Sequence, residues 1–67
     1  MNDMKTYLGR LYSADEVAEL LNIEMVTCYE WLGDGRIKAM KLGGSLWRVR
    51  DADLRAFVEQ SIKDGRR

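Results

Sequence analysis

Histidine and proline are missing from this chain, and cysteine occurs once in 67 residues. Each shortage closes off a class of protein. A lone thiol cannot form an internal disulfide, and without histidine there is no cluster of zinc-type ligands. The side chain that most often activates a nucleophile is missing too, so Cys28 reads as a small hydrophobe and Ser13 as a helix cap. Asp15, Glu16 and Glu19 form an acidic cluster. At the start of a helix such residues ordinarily complement its dipole, and no companion catalytic group stands out. An enzyme is not expected, and neither a metal nor a cofactor is implied. No apolar run approaches the ~20 residues of a membrane helix, and the polar opening from Met1 to Tyr7 is unlike a signal peptide. A cytoplasmic protein without membrane contact is therefore expected.

A single small domain remains, stabilised by packing alone, for which two Trp, three Tyr and one Phe are available. Its net charge of zero hides a division. Residues 1–34 carry two basic and seven acidic side chains, a net −5, whereas residues 35–67 carry nine and four, a net +5. Such asymmetry fits a surface for a polyanion, although small domains also segregate charge by chance.

Periodicity divides the chain into an arm over residues 1–9, a domain over 10–62 and a polar tail over 63–67. Arg10 to Tyr12 reads as a short strand or an extended lead-in. Ser13-Ala14-Asp15-Glu16 fits a capping box, and Ala14, Val17, Ala18 and Leu21 follow at amphipathic helical spacing. Asn22 and Ile23 break this helix. A second begins at once, with Cys28, Trp31 and Leu32 on one face, Met25 at its edge, and Val26, Thr27 and Glu30 opposite, flanked by Tyr29. Gly33-Asp34-Gly35 ends it. Two short helices across so tight a turn predict a helix-turn-helix. Segments 39–42 and 46–49 then have strand propensity and are joined by Gly43-Gly44-Ser45, which predicts a hairpin. Alternation is expected to turn Met40, Leu42, Trp47 and Val49 inward and Lys41 and Arg48 outward. Asp51 and Asp53 open a last helix with Leu54, Phe57, Val58 and Ile62 in one stripe. The expected fold is mainly α, with three helices and a two-stranded wing.

The run from Tyr12 to Ile23, YSADEVAELLNI, resembles the opening of the excisionase-type helix-turn-helix family, related to the MerR-like winged-helix group. The likeness continues through Thr27-Cys28-Tyr29-Glu30-Trp31, Gly35-Arg36-Ile37 with Ala39, Gly43-Gly44, Trp47-Arg48-Val49 and Asp53-Leu54. It spans about residues 10–58, and the order and spacing of the pieces carry it. The chain departs from the family at four places. Glu24 stands where the family usually has Ser or Thr, Met25 and Glu30 stand where Arg is frequent, and an additional residue lies at Ser45-Leu46. The resemblance implies duplex DNA recognition, with the second helix in the major groove and the wing on the backbone or minor groove. It further implies a role as an excisionase or small transcription factor, a site-specific recombinase or integrase as partner, and cooperative self-association on DNA.

The residues expected to meet DNA are Met25, Val26, Thr27, Tyr29 and Glu30 on the second helix, Arg36 and Lys38 after it, and Lys41, Ser45 and Arg48 on the wing. Thr27 and Tyr29 can donate hydrogen bonds to phosphates or base edges, though Tyr29 reads equally as an aromatic covering the edge of the core. Lys41 and Arg48 suit phosphate contact, and Arg50 extends the same basic edge. Trp31 and Trp47 are expected in the core, not as stacking platforms for bases. The alternative from another class is a protein-interaction adaptor that uses the acidic helical face on a basic partner.

Overall fold

Ser13 ends a strand and starts a helix. Its backbone is extended (φ −78°, ψ 168°), its hydroxyl oxygen accepts the Glu16 amide at 3.2 Å, and the Glu16 carboxylate accepts the Ser13 amide at 2.9 Å. Both halves of the expected capping box are thus present. In the computed structural model, which describes residues 9–65, this residue joins strand β1 (Leu11–Ser13) to helix α1 (Ala14–Leu21). Helix α2 (Met25–Gly33), strands β2 (Met40–Leu42) and β3 (Leu46–Arg50) and helix α3 (Asp51–Gly65) follow. The expected arm, apart from Gly9, and the final Arg66 and Arg67 of the expected tail lie outside the described residues. Helix α3 continues three residues past Ile62, to Gly65.

Asn22 stops α1 by adopting the left-handed conformation (φ 57°, ψ 48°), which its short polar side chain tolerates. Its amide and that of Ile23 satisfy the last carbonyls, Ile23 donating to Ala18 at 2.9 Å. Only Asn22 to Glu24 separate the two helices. Gly35 ends the excursion after α2 with φ 85°, and the Arg36 amide reaches back to the Trp31 carbonyl at 3.0 Å. This is a Schellman-type stop, a geometry that glycine reaches without a Cβ penalty.

The core draws on all three helices, β3 and the loop after α2: Ala14, Val17 and Ala18 of α1, Cys28 and Leu32 of α2, then Ile37, Val49 and Leu54. Cys28 is fully buried, and its thiol donates to the Ala14 carbonyl at 3.5 Å, holding the two helices face to face. Burial also pushes the thiol's pKa above its usual range, which keeps it neutral. Trp31 packs at the margin, its ring 5.6 Å from that of Phe57 on α3, and Trp47 lies against the core as well. Of the expected α3 stripe, Leu54 is buried and Phe57 and Val58 are half-buried, whereas Ile62 is exposed.

The wing differs from expectation in two ways. First, the sheet has three antiparallel strands in the order β1-β3-β2, because β1 pairs along β3 (Leu11 opposite Arg50, Tyr12 opposite Val49, Ser13 opposite Arg48). Second, the two faces of the hairpin are sorted differently. The ladder sets Met40 opposite Arg48, Lys41 opposite Trp47 and Leu42 opposite Leu46. Lys41 therefore shares the inward face with Trp47 and Val49, while Met40 and Leu42 share the outer face with Arg48. The cause is a single residue. Gly43 (φ 60°) and Gly44 (φ 79°) make a tight turn closed by the Ser45 amide on the Leu42 carbonyl at 3.1 Å, but pairing resumes only at Leu46. A slip of one residue exchanges the faces of a strand. The assignment of Leu42 to the core is overturned: it is 43% exposed.

Candidate nucleic-acid interface

Helix α2 turns Cys28 and Leu32 inward, and its 100° step therefore carries Val26, Tyr29 and Glu30 to the surface. Val26, a β-branched apolar side chain, is 67% exposed. Thr27 is half-buried beside them, and Met25 packs against the core margin. Glu24 caps the helix through its backbone alone, its carbonyl accepting the Cys28 amide at 2.9 Å while its side chain makes no cap hydrogen bond. Only the short Asn22–Glu24 turn links this helix to the acidic α1.

Beyond α2 the surface charge changes sign. Residues 35–50 contain Arg36, Lys38, Lys41, Arg48 and Arg50 and no acidic residue at all. The cations are held differently. Arg36 is exposed and paired with Asp34 at 3.1 Å, a contact that water screens heavily. Lys38 is exposed, with no ion pair or hydrogen bond from its ammonium among the described residues. Lys41 lays its ammonium over the Trp47 ring, 5.0 Å from the centroid, a cation–π contact. Arg48 donates from Nη1 to the Trp47 carbonyl at 2.7 Å, on the opposite face. Arg50 pairs with Asp53 through Nε at 3.0 Å, so its charge is largely offset locally. Ser45 is exposed in the turn between the strands.

The expected site residues thus fall into two groups: an uncharged-to-acidic helix face (Val26, Tyr29, Glu30) and a cationic segment running from Arg36 through the wing to Arg48. Lys41 and Arg48, expected together on the outer face, lie on opposite sides of the hairpin. The wing also presents Leu42 and Leu46, 43% and 53% exposed, which the sequence reading did not include among the site residues. Leu46 faces outward by its alternation with the inward Trp47, and the additional residue at Ser45 turns Leu42 to the same side. Among the described residues no group of three or more His, Cys, Asp or Glu side chains is placed to hold a metal ion. Among them, too, no helix is long and apolar enough to cross a membrane.

Comparison with known families matches residues 11–61 to a helix-turn-helix domain. No curated protein matches the chain. The match begins at β1 and runs into α3, covering both helices of the tight-turn pair, the cationic segment and the wing. With that architecture and that coverage, the chain belongs to the helix-turn-helix domain family, which includes excisionase-like DNA-binding domains, and is a DNA-binding winged helix-turn-helix.

Proposed function

We propose that the protein is a sequence-preferring binder of duplex DNA, acting as an excisionase-like recombination directionality factor or a small transcriptional regulator. Helix α2 lies in the major groove with Val26, Thr27, Tyr29 and Glu30 toward the bases, and the wing lies on the adjacent backbone and minor groove. The observation that carries this reading is the run of five cations without an anion over residues 35–50. Phosphate contacts supply most of the affinity of such a protein, and base-edge contacts supply its preference. A single domain of this size buries only about 600–1,000 Å² on DNA. Several copies on adjacent sites, together with a recombinase where excision is the output, raise the occupancy that one copy lacks.

The test is a salt titration of binding to preferred and random duplexes. Lys41→Ala and Arg48→Ala are each expected to weaken binding to all duplexes about equally. Each is also expected to flatten the slope of log K against log salt by ~1, the loss of one phosphate contact. An unchanged slope in both variants would reject the wing's role. It would favour instead an adaptor that offers the exposed Asp15 and Glu19 of α1 to a basic protein.

A further inference from the structure

We propose that Leu42 and Leu46 form an apolar wedge at the wing tip that enters a widened minor groove and bends the duplex. The inference rests on the wing-on-DNA reading above. The two leucines stand directly opposite each other at the last rung of the β2–β3 ladder, next to the turn. Directly paired side chains lie ~5 Å apart at Cβ, so together they make one continuous apolar tip. Neither packs against the core, which takes Trp47 and Val49 from the other face of β3. The fold gains little from leucine at these positions. Both leucines lie in the segment that holds five cations and no carboxylate, which matches a polyanion and not an apolar or cationic protein surface. Ahead of them the turn is bare: among the described residues, each glycine's chain neighbours aside, nothing lies within 4 Å of where a Cβ on Gly43 or Gly44 would be.

The dimensions dictate what entry does to the DNA. Strands in a ladder lie ~4.8 Å apart, and their side chains add to that, whereas the minor groove of B-DNA is only ~6 Å wide. The tip fits only where the groove opens, and apolar side chains inserted at a base step part the stack and kink the duplex toward the major groove. Lys41 and Arg48, one on each face of the hairpin, are placed to hold the two flanking strands. The wedge also confers an indirect preference, because pyrimidine–purine steps open more readily than A-tracts.

The experiment uses the full chain on a duplex long enough for one copy, end-labelled for energy transfer, with binding measured in parallel by anisotropy at several salt concentrations. The chain carrying Leu42→Ser and Leu46→Ser is expected to lose the bend and to bind severalfold more weakly with an unchanged salt slope. The Leu42→Met, Leu46→Met chain, which keeps an apolar tip, is expected to retain both bend and affinity. Circular dichroism melts check that the variants fold. If the serine variant bends and binds as the parent does, the wedge is refuted. The wing reading then stands as long as Lys41→Ala still flattens the salt slope. If Lys41→Ala and Arg48→Ala leave the slope untouched, both the reading and the wedge fail. A serine variant that keeps its bend on the single-site duplex but loses cooperativity on a longer one would make the leucines a contact between copies and overturn the wedge.

Discussion

If α2 enters the major groove as proposed, a carboxylate on it repels phosphates, yet Glu30 is exposed there beside Val26 and Tyr29. In the proposed placement it can serve as an acceptor, and the cytosine N4 amino group is the donor the major groove offers. Glu30→Gln and Glu30→Ala are expected to lose discrimination of about 1–3 kcal/mol at one base pair while binding random duplex more tightly. Competition binding on single-base variants of the preferred site measures both. A uniform gain on every duplex would leave Glu30 only a repulsive charge. At the opposite face of the same helix, Trp31 spans the seam between α2 and α3 through its contact with Phe57. Trp31→Ala is expected to cost about 3 kcal/mol, at the lower end for a large aromatic because the ring is only half-buried. Against ~5 kcal/mol of total stability this leaves a loosely folded domain, seen as a large drop in Tm. A near-native melt would show that the ring contributes little to holding the two helices together.

At the scale of elements, the two helices start very differently. Helix α1 has a complete capping box, and α2 begins at Glu24 with no side-chain cap. Glu24→Asp keeps the charge and shortens the reach to the free amides of the first turn. It is expected to raise stability by about 0.5–1 kcal/mol in denaturant unfolding, and no gain would mean that those amides are already well solvated. How much of the fold could be read from the sequence follows from the range of each signal. The box at Ser13 and Glu16, the break at Asn22 and the inward Cys28 and Leu32 are encoded within a few neighbouring residues, and the structure has all of them. The pairing of β1 with β3 joins residues 35 to 39 positions apart, and a three-residue segment carries too little pattern to announce it. The faces of the wing depended on whether Ser45 sits inside the ladder or outside it, a matter of turn geometry and not of composition. The candidate site was legible to the same degree. The exposed side chains of α2 followed from helical spacing and the outward Leu46 from strand alternation, whereas the separation of Lys41 from Arg48 and the exposure of Leu42 did not.

At the scale of the whole molecule, the two ends of the domain are fastened by one polar group. Asp51, the first residue of α3, accepts the Tyr12 hydroxyl of β1 at 2.9 Å and Arg55 Nε at 2.7 Å, and its amide donates to the Arg10 carbonyl at 2.9 Å. The Arg55 hydrogen bond, joined by that from Tyr12, holds the Asp51 carboxyl below its ordinary pKa. The bond to Asp51 and then burial raise that of Tyr12. The signs give two limbs. Asp51 contributes stability that is present above its unfolded pKa of about 3.9 and is lost as pH falls through its lower folded value. Tyr12 contributes stability that is present below about 10 and is lost as pH rises through its raised folded value, and the buried Cys28 thiol acts in the same direction. Melts across the pH range are expected to show Tyr12→Phe with a shallower alkaline decline and a smaller acid decline that ends at higher pH, because the Asp51 carboxyl is then less depressed. Matching profiles for parent and variant would mean that this bond contributes nothing to folding.

Ser13 belongs to two structures at once, the last rung of β1 against β3 and the cap of α1. Fraying in one therefore cannot stay local. If the strand peels from the sheet, the helix loses its first hydrogen bonds, and if the helix unwinds from its start, the rung opposite Arg48 goes with it. Amide exchange over Leu11 to Val17 should accordingly follow one opening event with one free energy. The wing, through β3, shares in that event, so the surface proposed to grip the backbone and the helix that buttresses α2 tighten or loosen as a unit.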